Sequence, residues 1–159
     1  LTPETVSEHP NEARELVRDL EGLPLAIQVA GRLLSSEARL GWGVSDLLAE
    51  LRAGAGLLGA PAPGDMAAQD TTPTVATLLQ RSTDSLDEAI RQRFALLGLF
   101  VPKPATFDLE AMAVAWETDD PKPTARILVN RGLLEPVSGG RFQMHALLVL
   151  HARSLLDAS

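Results

Sequence analysis

Two short stretches hold the residues whose types and spacing could do chemistry. The first is Gly22-Leu23-Pro24-Leu25. Pro24 could offer a flat ring, free of hydrogen-bond donors, to a planar base. The same residues would also make a tight helix–helix corner. Gly22 would accept the left-handed dihedrals that stop one helix, and Pro24 would open the next without forfeiting a hydrogen bond. Both readings stand on the residues alone. The second stretch is Met144-His145, at the step from a strand pattern into a helix. The first N–H groups of a helix lack backbone partners, and the helix dipole places about half a positive charge there. That combination suits a phosphate, and an imidazole that protonates near neutral pH would strengthen it. The plainer alternative is that His145 caps or packs. Leu23 and Met144 flank the two candidates and would share in either site.

Other chemistry is poorly supplied. Gly54-Ala55-Gly56-Leu57-Leu58-Gly59 matches the dinucleotide fingerprint letter for letter. That fingerprint works between a strand and the helix that receives the pyrophosphate. Here it follows a helical pattern and runs into Pro61 and Pro63, so it is rejected. No GxxxxGK[ST] is present: the lysines are Lys103 and Lys122, neither in a glycine-rich loop. With no strand ending in paired acids for magnesium, the chain is expected not to hydrolyse nucleotide alone and not to be an enzyme. The histidines are His9, His145 and His151. The last two sit about 240° apart around a helix and cannot grip one metal ion from one face. No serine or aspartate is spaced for a nucleophile triad.

The elements that must position these residues are nearly all helical. Asn11–Leu20 sets Ala13, Leu16, Val17 and Leu20 on one face, the spacing of an amphipathic helix. Pro24–Ser35 forms a second helix, and Val44–Arg52 a third, started by Ser45. From Ala53 to Thr74 glycine and proline dissolve the pattern, which predicts a long loop or flexible linker. Periodicity returns at Val75–Arg81, and again with Leu86, Ile90, Phe94 and Leu97. Phe107–Trp116 and Thr124–Leu133 are the next helices. Leu134–Val137, a Ser138-Gly139-Gly140 turn and Arg141–Met144 make a hairpin, and His145–Leu156 is helical again. Three helices, a hairpin wing and a last helix give a winged-helix order. The expected fold is mainly α: residues 1–85 a small helical bundle with its linker near 53–74, and residues 86–159 a winged-helix domain with one β-hairpin.

Composition bounds the partners. Hydrophobic residues make up 45% and charged residues 22% of 159, ordinary for a chain that builds a core. The apolar runs are too short or too interrupted to span a bilayer. Net charge is −7, most of it in residues 1–86, whereas a surface that tracks phosphates needs a basic excess. Nucleic acid is therefore disfavoured. Without cysteine, thiol and disulfide chemistry are excluded. No export signal is visible, which favours the cytoplasm. The chain also begins without an initiator methionine, as a piece cut from a larger protein would.

Order and separation tie the two candidate stretches together. Gly22–Leu25, continuing through Ala26–Leu34, resembles the "GLPLA" segment of NB-ARC domains. Leu79, Ser82–Leu86 and Phe94–Phe100 resemble the segment that opens that family's winged helix. Arg141-Phe142-Gln143-Met144-His145-Ala146-Leu147-Leu148 resembles its "MHD" segment. The resemblance runs from about residue 10 to 156, and its alanine- and arginine-rich flavour is similar to bacterial STAND-class signalling ATPases. It implies a helical bundle plus winged helix whose partner is a P-loop nucleotide-binding domain of the same protein, often with C-terminal repeat or effector domains. It further implies that Pro24 contacts the adenine of ADP or ATP, and that His145 reaches the β-phosphate of ADP and holds a closed state. Ala146 stands where plant members usually carry aspartate, so one carboxylate of that lock is missing.

Two functional classes remain. One is a regulatory module that senses nucleotide state. The other is a DNA-binding winged helix, with Thr124–Leu133 as the reading helix offering Arg126, Asn130 and Arg131, and with Arg141 on the wing.

Overall fold

The computed structural model describes residues 7–58 and 73–158. Internal contacts divide the chain into two compact units, Leu1–Ser82 and Thr83–Ser159.

The first unit is helical. Helix α1 (Pro10–Asp19) is followed by α2 (Pro24–Glu37), a 3-10 turn (Ala38–Leu40), α3 (Val44–Leu58) and α4 (Pro73–Asp84), whose last residues belong to the second unit. Leu16, Leu20, Val29, Leu33, Leu47, Leu51, Val75 and Leu78 are all 2% exposed or less. Their three- and four-residue spacing gives each helix one apolar stripe, and these stripes make the core. Polar ties reinforce it. Arg52 on α3 donates to Asp19 at the end of α1, 2.9 Å away. Arg81 on α4 pairs with the nearly buried Glu37 of α2 at 2.8 Å and with Glu50 of α3, and its guanidinium lies over the Trp42 ring.

Helix α3 does not stop at Arg52. It continues to Leu58, and α4 already begins at Pro73, so both ends of the expected linker are helical. Residues 59–72 lie outside the described ones. Glycine in a helix costs about 1 kcal/mol against alanine, and packing overrides that preference. A Cβ on Gly54 would lie 2.4 Å from the Thr77 methyl. The missing side chain thus lets α3 and α4 approach closely, which gives the first glycine of the rejected fingerprint a packing role.

The second unit contains α5 (Glu88–Leu96), a 3-10 turn (Leu97–Leu99), β1 (Phe107–Asp108), α6 (Leu109–Trp116), α7 (Lys122–Asn130), β2 (Glu135–Val137), β3 (Arg141–Gln143) and α8 (Ala146–Ala158). Phe94, Leu97, Met112, Leu128 and Leu133 are fully buried. The sheet is antiparallel in the order β1-β3-β2. The fold is thus mainly α, a helical bundle followed by a winged-helix-type region.

Two details depart from expectation. Phe107–Asp108 is a strand, not the start of a helix: Phe107 pairs with Phe142 and stacks on Phe100, with ring centroids 4.7 Å apart. Asp108 then caps α6 by accepting from the Ala111 N–H at 2.8 Å. A strand of two residues has no alternation to detect. Helix α7 begins at Lys122, with Pro123 in its first turn, and ends at Asn130 because Gly132 turns the chain with φ +75°.

Helix α8 packs on α5 and on the 3-10 turn that follows it. Arg153 donates to the Gly98 carbonyl at 2.7 Å, and a Cβ on Gly98 would lie 2.7 Å from the Arg153 backbone nitrogen.

Candidate functional site

The Gly22–Pro24 corner is built almost wholly by the backbone. After α1, Glu21 and Gly22 both take positive φ, +59° and +64°. The Gly22 N–H returns to the Val17 carbonyl at 2.9 Å, closing the end of α1. Leu23 is extended, and its carbonyl accepts from Ile27 at 3.0 Å to begin α2. Pro24 occupies the first turn, where its missing N–H costs nothing. No side chain caps α2. The Pro24 ring is exposed and Leu23 is half-buried. The corner reading is therefore realised, and it leaves the ring face open.

The Met144–His145 corner adds a side-chain cap to its backbone bonds. Met144 is 1% exposed and belongs to the core, with no surface to offer a ligand. His145 is the residue before α8: its carbonyl accepts from Leu148 and Val149 at 3.0 and 3.1 Å. Its ring Nδ1 accepts from the Leu147 N–H at 3.1 Å, so the capping alternative is realised too. The bond settles the tautomer. With Nδ1 accepting, the proton of the neutral ring sits on Nε2. Nε2–H points a donor away from the cap and has no partner among the described residues.

Two expectations about this corner change. The Leu147 N–H is taken by the ring, so the first turn is not a row of free donors. Nor does the ring favour protonation: partial burial and then the nearby Lys103 charge hold its pKa below the ordinary value, with Glu135 opposing. A proton on Nδ1 would also break the cap. The imidazole offers a neutral N–H donor, not a cation.

The cation here is Lys103, whose backbone N–H donates to the Met144 carbonyl at 2.9 Å. Its Nζ lies 2.7 Å from Glu135 Oε2. Glu135 is paired in register with Gln143 across the hairpin, and the Gln143 side chain also bonds its carboxylate. The Lys103 hydrogen bond, above all, holds the Glu135 carboxyl below the usual carboxylate range. Sequence reasoning missed both residues. The available signal was slight: the chain has two lysines, and one lies between Pro102 and Pro104.

The DNA-reading arginines are mostly committed inside the second unit. Arg131 donates to Ser85 at 2.6 Å. Arg141 donates to the Thr106 hydroxyl and carbonyl at 2.7 and 2.9 Å, and lies 3.8 Å from Asp108. Arg126 and Asn130 are exposed. His151 faces the interior, with Nε2 3.0 Å from the Thr83 hydroxyl and its ring beside Phe94. No cluster of three metal-ligating side chains occurs among the described residues, and no described helix is long and apolar enough to cross a membrane.

No protein-family model matches the chain. Over 154 residues it is 30% identical to the regulatory protein AfsR of Streptomyces coelicolor. The match takes in 97% of this chain and 15% of that protein, so the chain spans a small part of the relative's length.

Proposed function

We propose that this chain is a regulatory module of an NB-ARC-type signalling ATPase, sensing whether ADP or ATP is held by a P-loop domain elsewhere in the same protein. The chain itself is not the enzyme. Its similarity to a regulatory protein supports the general role. The observation that carries the nucleotide reading is the His145 ring, capped on Nδ1 and offering Nε2–H beside the Lys103 ammonium. An imidazole N–H and an ammonium are donors that a phosphate oxygen accepts. On the first unit the open Pro24 ring has the shape and apolar character to lie against adenine. In this reading ADP favours a closed state through the His145 contact. Exchange for ATP withdraws that contact and shifts the population to an open one. The location is cytoplasmic, and further partners are repeat or effector domains of the same protein.

The test is calorimetric titration of the full-length protein with ADP. His145→Asn keeps an acceptor that can cap α8 but removes the imidazole donor. Losing a hydrogen bond to a charged group, worth about 1.5–3 kcal/mol, should weaken ADP by roughly tenfold or more. Pro24→Ala should weaken ADP and adenosine alike. Wild-type ADP affinity in both variants would sink the reading. The arginines tied up in the second unit, with the net charge of −7, leave DNA recognition as the weaker alternative.

A further inference from the structure

Next to the donor assigned to phosphate stands an acid that competes for the same cation. Lys103 is fixed at both ends: its backbone to Met144, one residue before His145, and its ammonium to Glu135 at 2.7 Å. Glu135 in turn is registered against Gln143, two residues before His145. Lysine, glutamate and histidine are thus brought together by hairpin register and one loop hydrogen bond. The side chains of the ion pair are 40% and 50% exposed. An exposed pair contributes little net stability, because water solvates either partner nearly as well. A phosphate carries more charge than a carboxylate and three acceptor oxygens.

We propose that Glu135 is an internal stand-in for the phosphate: its carboxylate occupies Lys103 when nucleotide is absent and yields the ammonium to the phosphate when ADP binds. This rests on His145 being a phosphate contact. Glu135 then sets the threshold of the sensor. It neutralises Lys103 beside the donor, weakens ADP, and keeps the corner from trapping any passing anion. The exchange is a swap of ionic partners, with no proton or bond transferred. The charged groups around the His145 ring are Lys103 and Glu135, the two whose opposing influences its proton affinity registers.

The experiment is ADP and adenosine titration of the full-length protein in four forms: wild type, Glu135→Gln, Lys103→Gln and the double variant. Glutamine is nearly isosteric with glutamate, and position 135 is an exposed strand residue, so the fold should be retained. Glu135→Gln should tighten ADP by about threefold to tenfold, and Lys103→Gln should weaken it by about tenfold, the scale of charge-assisted contacts. The double variant should match Lys103→Gln, because without the ammonium there is nothing to compete for. Adenosine affinity should not move in any form. Unchanged or weaker ADP binding in Glu135→Gln would overturn the proposal, as would additive effects in the double variant. If His145→Asn weakens ADP while the Lys103 and Glu135 variants do not, the stand-in fails and the phosphate contact survives. If His145→Asn has no effect, the phosphate reading fails first.

Discussion

The two corners that carry the proposed function are built in opposite ways. At Gly22–Pro24 the backbone does the work: two left-handed residues, a returning N–H and a proline whose ring touches no cap. At His145 a side chain joins the backbone in that work, because the ring that would meet a phosphate also holds the first turn of α8. The first corner therefore separates structure from binding. The second couples them, so any change to His145 perturbs the fold and the site together. Variants at the two corners should therefore fail differently.

The largest effect is expected where α8, the helix His145 starts, docks on the 3-10 turn. In Gly98→Ala the new Cβ meets the backbone nitrogen of Arg153 at 2.7 Å. Backbone cannot rotate aside, so overpacking should cost about 1–3 kcal/mol. Gly54→Ala in the first unit is the matched control. Its Cβ meets the Thr77 methyl at 2.4 Å, at the end of a side chain whose hydroxyl bonds Pro73. A rotamer change there, offset by a helix-propensity gain of about 1 kcal/mol, should leave stability nearly unchanged. Denaturant unfolding of both variants decides this. Equal losses would mean that the second unit's dock is no tighter than the first's.

Next come the corners themselves. His145→Ala removes a cap and should cost about 1 kcal/mol, most of which His145→Asn should restore. Gly22→Ala has room for its Cβ but must hold φ near +64°, at a cost of about 1 kcal/mol. Pro24→Ala should cost only about 0.5 kcal/mol, through the greater freedom of the unfolded chain. If Pro24→Ala destabilised as much as His145→Ala, the distinction between a backbone corner and a side-chain corner would collapse.

Much of this was legible before folding. The apolar stripes of α1, α2 and α5, the Gly-Gly turn and the winged-helix order all follow from local spacing. What escaped was decided by tertiary contact. Gly54 reads as a helix breaker until Thr77 stands opposite it. Phe107–Asp108 becomes a strand only because β3 is there to pair with it. Both corners proposed as the site were singled out by sequence as candidates, but the proton arrangement expected of His145 differs from the one its surroundings favour. The bond from Leu147 to Nδ1 is local to the first turn of α8 and was among the alternatives, whereas the Lys103 charge comes from a loop that spacing along one helix cannot bring to the ring. Met144 looked like a neighbour of the site and is core, since alternation at the end of β3 turns it inward.

The smallest effect is the pH response of His145, and it sharpens the same contrast. Its folded pKa lies below the ordinary value of about 6.5, by burial first and then by Lys103. The unfolded chain thus takes up this proton more readily than the folded one. The stability that comes from the neutral, capping ring is present above about pH 6.5 and is lost as pH falls toward the folded pKa. The slope should be shallow, because the ring is only partly buried and water screens the charges around it. Removing Lys103 charge in Lys103→Gln should raise the folded pKa and narrow that window, and Glu135→Gln should lower it and widen the window. Nuclear magnetic resonance titration of the His145 ring protons reads both directions. Pro24→Ala removes no charge and should leave the titration untouched. An unmoved titration in both Lys103→Gln and Glu135→Gln would mean that burial alone governs the ring and that the ion pair does not act on it.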